Sequence, residues 1–169
     1  RAGGDAELAA EQTVSIMHRL LANSWGVRSE ALLRMAMRTL ILDPEASLAD
    51  IGPLLTSPAF RVPLVARLSD PVLAGQWAAF EALSSAEQGQ WVSPPMNKLN
   101  GLLSRPGLRR ALAQPKPTFD LAHALDHRGV VLVPLSAGVL GTDAASLFGS
   151  FVMGAAWNYI QARATNTVR

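Results

Sequence analysis

Residues 129–143, GVVLVPLSAGVLGTD, restrict the fold more tightly than any other stretch of these 169 residues. Gly129-Val130-Val131-Leu132-Val133 is a continuous apolar, β-branched run, the pattern of a strand covered on both faces. Pro134 removes one backbone donor and limits ladder pairing from that point. Ser136, Gly138 and Gly141 suit a flexible turn, after which Thr142 or Asp143 is placed to cap a helix. Strand, small-residue loop and helix N-terminus together form an arrangement in which backbone N–H groups face an anion. A strand of this kind needs neighbours to satisfy its backbone. No other run in the chain reads convincingly as a strand, so this one is expected to belong to a larger sheet.

The length suits one domain with a real core. A hydrophobic fraction of 49% against 17% charged residues excludes a disordered chain. With no cysteine there are neither disulfides nor thiolate metal sites, which suits a reducing compartment. Positions 144–162 carry no charge and are long enough to cross a bilayer. Ser146, Gly149, Ser150, Gly154, Asn158 and Gln161 dilute that run, so it reads as a buried helix and not as a membrane span.

Before the central run the chain reads as helices. Asp5 can cap a first helix to about Ser24, with Val14, Met17, Leu20 and Leu21 on one face and Trp25-Gly26 ending it. Ser29 is expected to cap the next, whose stripe is Leu32, Leu33, Ala36, Leu40 and Ile41, with Glu30, Arg34 and Arg38 on the solvated side. From Ser47 onward prolines punctuate short helices. Ser57-Pro58 and Asp70-Pro71 are cap-then-first-turn signatures, and Ser84-x-x-Glu87 is a capping box. Pro63 is expected to kink or split its segment, and Pro94-Pro95 to interrupt another. Pro106 starts a short basic helix, Pro115-Lys116-Pro117 makes an extended connector, and Asp120 begins a last turn or two before the strand. The expected fold class is mainly α. A multi-helix all-α domain over residues 1–126 is followed by a strand-loop-helix segment over 127–169.

Charge is distributed unevenly although the net value is only +2. Residues 98–116 contain Lys98, Arg105, Arg109, Arg110 and Lys116 and no acid. Such a block releases counterions from nucleic-acid phosphates or docks an acidic protein segment. A solvated basic face is the plainer alternative. Base-stacking aromatics are missing from the block, so any contact with DNA is expected to ignore sequence.

Three other constellations have plainer readings. Ser136 in Pro134-Leu-Ser-Ala-Gly138 approaches a nucleophile elbow, but the elbow's first glycine is missing and no histidine follows it. It reads as a structural turn. Asp120, His123 and His127 fall on one side of a short helix, a spacing open to zinc, yet surface histidines are the commoner case. The tryptophans Trp25, Trp77, Trp91 and Trp157 lie on apolar faces and read as core or interface anchors. There is no G-x-x-x-x-G-K-[ST] phosphate loop, and no apolar strand ending in Asp-Glu.

One order of signatures stands out: Asn23-Ser-Trp-Gly26, Leu54-Leu-Thr-Ser-Pro-Ala-Phe-Arg61, Asp70-Pro-Val-Leu73, Asn97-Lys98-Leu99, then 129–133 with Leu135-Ser-Ala-Gly138 and Leu140-Gly141. In that order they resemble HerA/FtsK-type DNA-translocating ATPases, in the conjugative coupling-protein (TraG/TraD-like) branch of type IV secretion. The resemblance implies that this chain is the middle portion of a RecA-like motor, with an inserted all-α domain and one core strand and helix. Walker A and Walker B would lie on either side. It further implies that ATP and magnesium belong to the parent and that this segment has no cofactor or ATPase activity of its own. Ser136, Gly138 and Gly141 would lie near the parent's nucleotide. The implied partners are DNA or a relaxosome or secretion-substrate protein, together with further copies of the chain. The implied location is the cytoplasm, at the inner face of the cell membrane.

Overall fold

The computed structural model describes residues 26–116 and 118–167. The chain divides into two compact units, residues 1–116 and 117–169. It is mainly helical, with nine α-helices and no strand among the described residues. The helix expected over residues 5–24, and Trp25, lie outside them.

The first unit is built around α1 (Val27–Leu40), which touches α2 (Ile51–Thr56), α3 (Pro58–Val65), α4 (Pro71–Glu81) and α5 (Ser85–Leu103). Its apolar spacing decides this: Leu32, Leu33, Ala36 and Leu40 share a stripe, and all are buried. The helix starts earlier than expected, with Gly26 at the N-cap, and Ser29 is buried inside it. Ile41 falls beyond the helix end and is exposed. Leu73, Trp77 and Phe80 of α4 complete the core, as their spacing predicts.

The start signals behave as local chemistry requires. The Asp70 carboxylate accepts from the Val72 N–H at 2.8 Å, and Pro71 opens α4 where a missing N–H costs nothing. At α5 the Ser84 hydroxyl and N–H both donate to the Glu87 carboxylate, at 2.6 and 2.9 Å. Those bonds hold the Glu87 pKa below the ordinary carboxylate value.

Pro63 does not split its helix, and Pro94-Pro95 does not interrupt α5. α3 runs through Pro63, and α5 continues from Ser85 to Leu103 through Pro94 and Pro95. Local cost is outweighed by burial: Val92, Pro95, Leu99 and Leu102 form one buried face across the interruption. Ser93, immediately before the pair, donates its hydroxyl to the Gly89 carbonyl at 2.7 Å.

Within this core lies a charge. Arg61 is 1% exposed. Its Nε donates to the Glu81 carboxylate, and Nη1 donates to the carbonyls of Leu54 and Leu55 at 3.0 and 3.2 Å. Those carbonyls belong to the last turn of α2, where no helical donor follows. The guanidinium also lies 5.9 Å from the Trp77 ring centroid and 5.3 Å from that of Phe80. The indole N–H of Trp77 donates to the Thr39 hydroxyl at 2.8 Å, which donates in turn to the Met35 carbonyl.

The first unit ends with α6 (Pro106–Leu112). The second contains α7 (Leu121–Asp126), α8 (Ala137–Leu140) and α9 (Thr142–Thr167). α7 groups with α9, so it belongs to this unit and not to the preceding helical body. It ends in a Schellman turn, in which the Gly129 N–H bonds the Ala124 carbonyl at 2.8 Å and Arg128 takes the left-handed φ of 55°. A Cβ on Gly129 would stand 2.9 Å from that carbonyl oxygen, which is why glycine sits there.

The strand expected over 129–133 does not form. Those residues run without helix, turn or bend, but no second strand among the described residues pairs with them. The flexible turn expected at 136–141 instead contains a single helical turn, α8. α9 is buried mainly near its start, at Ala144 and Leu147, and Met153, Trp157 and Ile160 are exposed. The expectation of a buried helix over 144–162 therefore holds for its first turns only. No helix among the described residues is long and apolar enough to cross a membrane.

Candidate functional site

Arg105 occupies the N-cap of α6, and Pro106 presets its first turn. Leu108 is 1% exposed and anchors the helix, which packs against α5 and the 3-10 turn Leu48–Asp50. With one face fixed, Arg109 and Arg110 in the last turn are left exposed. As consecutive residues they diverge by about 100° around the axis. Neither has an ion-pair partner among the described residues. Their position also suits the helix itself, since cations favour the carbonyl end of the dipole.

The remaining basic residues are less alike than the sequence implies. Lys98 is half-buried on α5, beside the buried Leu99. Arg105 is exposed. Lys116 pairs with Glu45 at 2.8 Å, both side chains being well exposed. The block contains no acid in sequence, but the fold brings one to its end. The block's exposed cations without an ion-pair partner among the described residues lie on α6.

The other candidates are placed as follows. Ser136 precedes α8 without a side-chain capping bond, and Gly138 lies inside that turn. Gly141 joins α8 to α9 with φ 81°, and its carbonyl accepts from the Ala145 N–H at 3.0 Å. Thr142 is already helical, so it is not the cap. The Asp120 carboxylate caps α7 by accepting from the His123 N–H at 2.9 Å. The His123 and His127 rings stack with centroids 4.1 Å apart, and His127 Nδ1 lies 2.8 Å from the His123 carbonyl. Among the described residues no group of three or more His, Cys, Asp or Glu side chains could hold a metal ion. Of the tryptophans, Trp77 is core, Trp91 is half-buried with the Arg28 guanidinium 5.7 Å from its ring, and Trp157 is 58% exposed.

Sequence reasoning missed two clusters. Arg61 reads as one more surface cation, and its only signal is a charge inside the apolar run Pro58–Val65. In the second unit Tyr159 donates to the Asp126 carboxylate, and Arg163 lies 3.7 Å from the same carboxylate. The Asp126 hydrogen bond raises the Tyr159 pKa above its ordinary value. No spacing rule links residues so far apart.

No protein-family model, curated protein or solved structure matches the chain.

Proposed function

We propose that this chain is a helical recognition module that contacts a polyanion, DNA above all, through α6, within a motor of the coupling-protein type that its order of signatures resembles. The observation that carries the reading is the pair Arg109 and Arg110, exposed, without carboxylate partners among the described residues, on a helix fixed by buried Leu108. Lys98 and Arg105 extend the basic surface in sequence, and Lys116 contributes less because Glu45 neutralises it. Under this reading, flanking sequence would handle ATP and magnesium, and the chain alone hydrolyses nothing. Ser136, Gly138 and Gly141 would act only in the completed motor, as a loop near the nucleotide.

Phosphate contact by two arginines gives weak, sequence-independent binding, roughly 10⁻⁴ to 10⁻⁶ M for one copy. Arg109→Ala with Arg110→Ala should lower the log–log salt slope by about two units. Fluorescence anisotropy with labelled random-sequence DNA at several salt concentrations measures it. No binding at low salt, or an unchanged slope in the double variant, overturns the DNA reading. Binding of an acidic peptide that depends on its sequence, with no DNA binding, would assign α6 to a protein partner instead.

A further inference from the structure

The second unit contains two histidines that the polyanion reading does not use. His123 and His127 stand four residues apart, so α7 brings their rings to one side. The ring centroids are 4.1 Å apart and the planes are inclined by 35°. Both residues are exposed, and neither has an ion-pair partner among the described residues. His127 Nδ1 lies 2.8 Å from the His123 carbonyl oxygen. A carbonyl only accepts, so Nδ1 carries the proton and Nε2 keeps its lone pair. A ring N–H held by a backbone carbonyl is the contact that orients metal-binding histidines. The carboxylates of the same helix are engaged elsewhere: Asp120 accepts from the His123 N–H at 2.9 Å, and Asp126 from the Tyr159 hydroxyl.

Two imidazoles select the ion. Imidazole suits zinc, copper and nickel, whereas magnesium and calcium take oxygen ligands. A zinc ion about 2.0–2.1 Å from each of two nitrogens holds them roughly 3.3 Å apart at a tetrahedral angle. Rings with centroids 4.1 Å apart reach that span by a small side-chain rotation. We infer that His123 and His127 chelate one divalent transition-metal ion of the zinc class, with water completing its coordination. Two protein ligands make this an open site, unlike the closed four-ligand structural kind. The chelate ties the third residue of α7 to the residue that caps its end, so the ion favours the folded helix over the unfolded chain. The pair belongs to the second unit and Arg109 and Arg110 to the first, so the test is independent of the polyanion reading.

Isothermal titration calorimetry of the full chain with zinc chloride should show one ion per chain, and magnesium chloride at the same concentrations none. His123→Ala and His127→Ala should each weaken zinc binding about tenfold or more, since either leaves a single ligand. His18→Ala, at the third histidine of the sequence, should leave it unchanged. Zinc should raise the thermal unfolding midpoint of the native chain but not that of the double variant, whose far-UV circular dichroism should match the native. Nitrogen NMR of the unaltered chain gives a readout that needs no variant: His127 should be protonated at Nδ1 without metal, and zinc should shift its Nε2 signal. No zinc binding, binding that survives in the double variant, binding lost in His18→Ala, or a His127 protonated at Nε2 in the metal-free chain overturns the proposal.

Discussion

At the scale of single residues, the buried charge and the lone tyrosine carry the clearest consequences. Arg61 joins the end of α2 to α4 by satisfying two carbonyls that no helical donor reaches. Arg61→Ala leaves both unpaired in the interior and should cost about 2–4 kcal/mol in urea unfolding. Glu81→Gln keeps an acceptor for Nε and the Glu81 side chain is 41% exposed, so removing this counter-charge should cost less than Arg61→Ala. Equal costs for the two would mean that the carbonyls are not what Arg61 serves. Tyr159 is the single tyrosine, so its ionisation can be followed by absorbance. Its folded pKa is raised, chiefly by the hydrogen bond to Asp126. The contact therefore stabilises the fold fully below the unfolded tyrosine pKa and is lost as pH rises through the folded one. Tyrosinate should appear at higher pH in the native chain than in urea, and Asp126→Asn should narrow that difference.

At the scale of elements, α5 shows how tertiary packing overrules local propensity. Pro94 is exposed and removes a hydrogen bond to the Gln90 carbonyl, whereas Pro95 is buried in the packing face. Pro94→Ala should therefore restore a helical bond without loss of contact, raising stability by roughly 1–3 kcal/mol, read as a higher urea midpoint. Pro95→Ala restores a bond but loses buried ring surface, so its gain should be smaller. Helix starts were legible in sequence at Asp70-Pro71 and Ser84–Glu87 because caps depend on atoms within three residues of each other. α5 was not legible as one helix, since what holds it together is its contact with α1 and α2.

At the scale of the whole molecule, the sequence by itself determined the helical class, the stripe of α1 apart from Ile41, the core residues of α4 and the basic character of α6. Each rests on periodicity or on local composition, which survive whatever the rest of the chain does. Only the tertiary structure decided that Arg61 is interior and that Lys116 meets Glu45. It also placed α7 with α9, joined through Asp126 and Tyr159. The apolar run 129–133 lies between these cases. Its composition is that of a strand, but none forms there among the described residues, because a strand is defined by its partner. Among the described residues the fold supplies a helix on one face and nothing along the edge. Periodicity is a property of one segment, whereas ion pairs, buried charges and strand pairing are properties of two, and only folding brings the second one into place.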